Sequence, residues 1–96
     1  MITELIMTVG FIFKDAEKGK RIVGGAEPKY STDDLSWLNF NGGEIMIRTS
    51  KEDMIFKVKK IDVFPSLSGA INIGLTLDTD TQFDAISVGD KVFKIL

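Results

Sequence analysis

The sequence predicts an all-β fold, a small closed or partly open barrel of about six antiparallel strands with one short helical insertion. Composition is the first indication, because Ile, Val and Thr number twelve, six and seven against four Ala and a single Gln. β-branched side chains fit a pleated sheet and lose rotamer freedom in a helix. Closure is expected because strands this rich in Ile would otherwise expose their edges to other chains.

The strands are assigned from apolar alternation between turn residues. Residues 71–77 alternate most clearly, with Ile and Leu at every second position. Residues 54–64 alternate with a change of phase at Lys59-Lys60, which predicts a β-bulge there. Gly10 predicts a second bulge within the first strand, residues 2–13. The remaining strands are expected at residues 20–24, 44–49 and 91–96.

Three further predictions concern single strands, and the first two of them concern the first hairpin. Its first strand is expected to carry Thr3, Leu5, Met7, Val9 and Phe11 on one face and Ile2, Glu4, Ile6 and Thr8 on the other, because each set shares one parity. The pair Gly24-Gly25 is expected to form a turn that ends the second strand of this hairpin, residues 20–24. In residues 44–49 the alternation places Ile45 and Ile47 on a common face.

Residues 26–43 break the β pattern, and a short helix is predicted at about residues 31–40. The Ser31 hydroxyl can accept a hydrogen bond from a free backbone N–H, and Asp33 and Asp34 favour the positive end of the helix dipole. Asn41-Gly42-Gly43 supplies residues that tolerate a left-handed exit. The 96 residues are predicted to form one domain, residues 1–96.

The residue types exclude most covalent chemistry. The chain has no Cys and no His, which excludes disulfides, thiolate zinc sites and a Cys nucleophile and removes the usual general base. The spacing of the carboxylates does not single out any two of them as an acid–base pair. The acidic loop 78–84 has Phe83 where a calcium loop needs glycine, so it is interpreted as a solvated loop. We therefore expect no enzyme activity, no cofactor and no metal.

The expected location is the cytoplasm. Residues 1–13 are rich in apolar side chains, but they lack a basic leading region and a small-residue cleavage site. They are also too short to span a bilayer, which needs about 20 apolar residues. No membrane partner is expected.

Two clusters are candidates for binding. The first comprises the apolar residues of the predicted helix, Leu35, Trp37, Leu38 and Phe40. They either plug the barrel mouth or form an exposed patch for a protein partner or a second copy of the chain, since Trp is favoured at such anchors. The second is basic: Lys57, Lys59 and Lys60 lie in one strand, and a more diluted group comprises Lys14, Lys18, Lys20 and Arg21. Four phenylalanines that could stack on bases lie near these groups, namely Phe11, Phe13, Phe56 and Phe64.

The second half of the chain resembles a known family. The segments FKVKKIDVF (56–64), GAINIGL (69–75) and FDAISVGDKV (83–92) follow the order of features in the second, β-barrel domain of elongation factor Tu-like translation GTPases. The resemblance covers residues 54–96 and implies a barrel that helps to hold the aminoacylated end of tRNA, with Asn72 in a matching motif position. The chain lacks the GxxxxGK[ST] motif, so GTP hydrolysis is not implied.

Two functions follow as expectations. The first is a non-catalytic barrel that binds a protein partner or self-associates. The alternative is an RNA- or nucleotide-binding barrel that uses Lys57, Lys59, Lys60 and Asn72. The formal net charge of −2 weighs against the alternative, because nucleic-acid binding is driven by cationic contacts to phosphate.

Overall fold

Six antiparallel strands form one sheet that closes into a barrel in the order β1-β2-β5-β4-β3-β6. The structure is a computed structural model, and it describes residues 2–15, 19–28, 43–65, 70–78 and 85–95. The strands are β1 (Thr3–Asp15), β2 (Gly19–Ala26), β3 (Glu44–Arg48), β4 (Asp53–Pro65), β5 (Ile71–Leu77) and β6 (Lys91–Ile95). The predicted all-β barrel of six strands is confirmed.

The ring turns at its two longest strands, because the two halves of each pair with different neighbours. β1 and β4 have 13 residues each. The first half of β1 pairs with β6 and the second half with β2. Likewise, the first half of β4 pairs with β3 and the second half with β5. The barrel therefore has two walls, one formed by β1-β2-β5-β4 and the other by β4-β3-β6-β1.

A β-bulge at Lys59 lies where β4 changes partner. Val58 pairs with Leu77 and Lys60 pairs with Thr76, which leaves Lys59 as the extra residue. A bulge bends its strand and increases the local twist. The bulge predicted at Lys59-Lys60 from the change of phase is confirmed.

The bulge predicted at Gly10 is also confirmed, and it corrects the predicted position of Phe11. Val9 pairs with Gly24 and Phe11 pairs with Val23, so Gly10 is the extra residue. One inserted residue moves every following side chain to the opposite face. Val9 is therefore buried, whereas the Phe11 side chain is 66% exposed. The prediction that Phe11 shares a face with Val9 was wrong. The prediction that Ile6 and Met7 lie on opposite faces was also wrong, because Ile6 is an extra residue in the pairing with β6 and both side chains are fully buried.

The pair Gly24-Gly25 lies within β2, so the turn predicted there was wrong. Gly24 is glycine because β1 and β2 approach closely at this point. A Cβ on Gly24 would collide with the Thr8 carbonyl oxygen and lie 2.8 Å from its carbon. A Cβ on Gly25 would meet nothing within 4 Å. The two neighbouring glycines thus have different surroundings.

Apolar side chains from all six strands fill the barrel interior. Ile45 and Ile47 are both fully buried, as their shared parity predicted. The four apolar residues of β5 are buried too, and this confirms the alternation of residues 71–77. The remaining members of the core are Ile6, Met7, Val9, Ile22, Phe56, Ile86 and Val92.

A turn at residues 87–90 leads into β6 and is fixed to β1. The Asp90 carboxylate accepts a hydrogen bond from the Ser87 backbone N–H at 2.8 Å, and Gly89 has a φ of +97°, a conformation that favours glycine. The Gly89 N–H donates to the Val9 carbonyl at 2.8 Å, and the Val9 N–H donates to the Asp90 carbonyl at 2.9 Å. These bonds position β6 beside β1.

The predicted helix at about 31–40 and most of the acidic loop 78–84 lie outside the described residues. Within the described part of the chain, no helix is long and apolar enough to cross a membrane.

Thr49 provides a test of the β3–β4 turn. Its side chain is buried, and its hydroxyl donates to the Glu52 carbonyl at 2.7 Å and accepts from the Glu52 N–H at 3.1 Å. We expect Thr49→Val to lower the free energy of unfolding by about 1 kcal/mol, because it removes both hydrogen bonds between the Thr49 hydroxyl and the Glu52 backbone. Urea denaturation measures this loss. Thr49→Ser keeps the hydroxyl and should lose less, and an equal loss in both variants would contradict the hydrogen-bond explanation.

Candidate ligand-binding face

Three rows of residues cross the outer surface of the wall formed by β1, β2, β5 and β4. The strand register places them side by side on the outside, and alternate positions of the same strands, such as Ile22 and Leu75, point into the core. The first row is Phe13, Arg21, Thr76 and Lys60; the second is Phe11, Val23, Gly74 and Asp62; the third is Gly25, Asn72 and Phe64. These residues, together with Lys59 at the bulge, are called the aromatic–basic face below.

Three exposed phenylalanines flank this face. Phe11 and Phe13 on β1 are 66% and 50% exposed, and their rings stack with centroids 6.3 Å apart and planes 26° apart. Phe64 on β4 is 40% exposed. β1 and β4 are separated by three strand spacings, or about 14 Å. Flat apolar surfaces therefore stand at both edges of the face.

A groove of about 360 Å³ lies between these edges, lined by Arg21, Lys59, Lys60, Asp62 and Thr76. Three of the lining side chains are cations and one is a carboxylate. The groove is thus locally positive although the whole chain has a formal net charge of −2. Local charge of this kind attracts anions even to an acidic protein.

Arg21 lines the groove and contacts residues of both β4 and β5. Its guanidinium carbon is 5.2 Å from the centroid of the Phe64 ring, a cation–π distance. One terminal nitrogen, Nη2, is 3.6 Å from Asp62 Oδ2, which is an ion pair without hydrogen-bond contact. A Cβ on Gly74 would be only 2.7 Å from Nη2. Because Gly74 has no side chain, the guanidinium can pack directly on the backbone of β5.

One nitrogen of Arg21 is left without a hydrogen bond. Its Nε is buried and has no hydrogen-bond partner among the described residues. A second arginine in the barrel shows the contrast: Arg48 lies 4.9 Å from the centroid of the Phe93 ring, and its Nε donates to Asp53 at 3.1 Å. Both arginines pack on a phenylalanine beside an aspartate, yet only Arg48 has its Nε paired.

The structure brings together three of the four residues predicted for nucleic-acid contact. Lys59, Lys60 and Asn72 all belong to the aromatic–basic face. Lys57 is exposed on β4 opposite Glu44 of β3 and does not line the groove. Phe56, predicted among the stacking rings, is only 2% exposed and belongs to the core. That prediction was wrong, because Phe56 alternates inward ahead of the bulge.

The predicted partner-binding residues Leu35, Trp37, Leu38 and Phe40 lie outside the described residues. Their role as a docking patch stays a prediction. The predicted absence of a metal site also stays a prediction. Within the described ranges no three acidic side chains lie close enough together to hold a metal ion.

The sequence interpretation missed the contacts of Arg21 with β4 and β5. It grouped Arg21 with the lysines of the first hairpin, whereas the register places it next to Thr76 on β5. Asp62 was not singled out, because the spacing of the carboxylates selects no pair among them. Gly74 was the available signal, since a glycine within a strand of strict alternation indicates that another group approaches closely.

Comparison of the chain with protein-family models, with curated proteins and with solved structures finds no match. The resemblance of residues 54–96 to the second domain of elongation factor Tu-like proteins stays a prediction. The functional argument therefore rests on the aromatic–basic face itself.

Proposed function

We propose that this chain is a non-catalytic barrel that binds single-stranded RNA on its aromatic–basic face. The observation that carries the proposal is the grouping of three exposed phenylalanine rings with a positively charged groove on one outer wall. Proteins bind single strands by combining aromatic side chains, on which bases stack, with cations that follow the phosphates.

Each part of the face has a role in this proposal. Phe11 and Phe13 offer stacking surfaces at one edge and Phe64 at the other, with Arg21, Lys59 and Lys60 between them. Stacking of one base on an aromatic ring is worth about 1–3 kcal/mol, and it requires an unpaired base. No atom lies within 4 Å of a Cβ placed at Gly25, so the surface there is open, whereas the space above Gly74 is occupied by the Arg21 guanidinium.

The residues predicted to bind a protein partner lie outside the described residues. No structural observation therefore favours protein binding as a second function. The resemblance to a translation-factor barrel is consistent with an RNA ligand. The acidic net charge of the chain is compatible with the proposal because the cations are concentrated in the groove. We therefore expect moderate affinity that depends strongly on salt.

The proposal is tested by titrating the protein against a fluorescently labelled single-stranded RNA and following anisotropy. We expect saturable binding that weakens about tenfold between about 50 and about 200 mM salt, as two or three phosphate contacts would produce. The same strand annealed to its complement should bind much more weakly, because its bases are no longer free to stack.

Two lysine variants provide a matched comparison. Lys60→Glu reverses a charge that lines the groove, and Lys51→Glu reverses the same charge in the β3–β4 turn. We expect Lys60→Glu to weaken binding about tenfold and to reduce the salt dependence, with little change for Lys51→Glu. The proposal would be refuted if the single strand failed to bind at low salt or if both variants had equal effects. A protein ligand for the aromatic–basic face would then be tested next.

A further inference from the structure

Arg21 and Arg48 are two arginines in similar surroundings that differ in two respects. Each lies over a phenylalanine ring and beside an aspartate. Arg48 completes a hydrogen bond to Asp53, and its side chain is 58% exposed, whereas that of Arg21 is 24% exposed. A guanidinium that is largely shielded from water gains more from a well-placed anion than an exposed one does.

We infer that the groove around Arg21 is a phosphate subsite and that Asp62 competes with the phosphate for the guanidinium. The inference rests on the proposed RNA-binding function for its physiological ligand, but the chemistry it names is the phosphate group alone. When phosphate binds, its oxygens accept from Arg21, with Lys59, Lys60 and the Thr76 hydroxyl lining the same groove. No bond is made or broken.

Asp62 is a weak partner in the structure, and this makes displacement feasible. Its Oδ2 is 3.6 Å from Arg21 Nη2 and its Oδ1 is 3.8 Å from Lys60 Nζ. Both distances are too long for a hydrogen bond, so the carboxylate forms only a long ion pair with each of the two cations. A phosphate has more acceptor oxygens than a carboxylate, and arginine recognises it in a bidentate geometry.

Gly74 explains why the Arg21 guanidinium lies close to the sheet in this subsite. Because Gly74 has no side chain, the guanidinium lies flat on the backbone of β5 instead of standing away from the sheet. Phe64 packs against the guanidinium from β4 and limits its orientation. The donors of Arg21 are therefore arranged before the ligand arrives, which lowers the entropic cost of binding.

The test compares Asp62→Asn with Asp53→Asn. Both variants remove one negative charge beside an arginine, so they change the net charge equally. We expect Asp62→Asn to tighten binding of inorganic phosphate and of single-stranded RNA by about two- to fivefold, and Asp53→Asn to leave both nearly unchanged. Arg21→Lys keeps the charge and loses the planar fork, and it should weaken both ligands about tenfold.

A direct readout is the Nε–Hε signal of each arginine in a ¹H–¹⁵N NMR spectrum. We expect the Arg21 signal to shift during titration with inorganic phosphate and with RNA, and the Arg48 signal to stay in place. The Arg48 signal is an internal control, because it reports general salt effects on a guanidinium in similar surroundings.

The outcomes separate the inference from the proposed function. If phosphate shifts the Arg21 signal and RNA does not bind, the subsite is supported and the RNA-binding function fails. If RNA binds while Arg21 does not respond and Asp62→Asn behaves like Asp53→Asn, the function stands and the inference is overturned. If neither ligand binds, both fail.

Discussion

Replacement of Gly24 by alanine is expected to cost about 3 kcal/mol or more and to prevent folding of the barrel near body temperature. The added methyl group would collide with the Thr8 carbonyl oxygen, lie 2.8 Å from the carbonyl carbon and lie 3.0 Å from Met7 Cε. Met7 can move, but the Thr8 carbonyl belongs to the backbone of β1. Relief therefore requires β1 and β2 to separate close to the bulge at Gly10.

Gly25→Ala is the matched control, since the two glycines are neighbours in the same strand. Nothing lies within 4 Å of a Cβ at Gly25, and alanine restricts the unfolded chain. We expect its free energy of unfolding to stay within about 0.5 kcal/mol of the original protein. Urea denaturation followed by circular dichroism measures both variants. A Gly24→Ala protein as stable as Gly25→Ala would show that β1 and β2 are not in close contact there.

Local patterns were sufficient to predict most of the strands. The alternation in residues 71–77 and the phase change at Lys59-Lys60 are set by neighbouring residues, and the barrel confirms both. A side chain's face in a strand depends on its parity, and parity can be counted from the sequence. The bulge at Gly10 was predicted from the glycine itself and not from parity, and the uninterrupted parity count therefore assigned Phe11 to the wrong face.

The two glycines of β2 show where local patterns are insufficient. A Gly-Gly pair after a short apolar run is typical of a turn, and it is equally compatible with a close approach between strands. The choice depends on Thr8, which is distant in sequence and adjacent only after β1 and β2 have paired. Such a contact is a property of the register, which the sequence pattern did not specify at this point.

The candidate site was difficult to predict for the same reason. Phe13 and Lys60 are far apart in sequence, and each is ordinary on a barrel surface. They lie in one row only because β2 and β5 connect them through Arg21 and Thr76. The sequence indicated the residue types, phenylalanine and lysine, and the order of strands determined which of them share a face.

Replacing both Phe11 and Phe13 by alanine is expected to weaken RNA binding at least about tenfold, because stacking on a ring is worth about 1–3 kcal/mol per base. Both rings lie on the outer surface and are at least half exposed, so the barrel should remain folded. The measurement is the anisotropy titration at several salt concentrations, with circular dichroism and thermal melting to verify folding.

The salt dependence separates lost stacking from lost phosphate contacts. Salt weakens binding in proportion to the number of phosphates neutralised, and the double variant Phe11→Ala/Phe13→Ala changes no charge. Its affinity should therefore be lower at every salt concentration with the slope unchanged, whereas Lys60→Glu should reduce the slope. Ile55→Ala is the control, because Ile55 is 45% exposed and pairs with Met46 on the opposite wall. If Ile55→Ala weakened binding as much as the double phenylalanine variant, the bases would not be stacking on the aromatic–basic face.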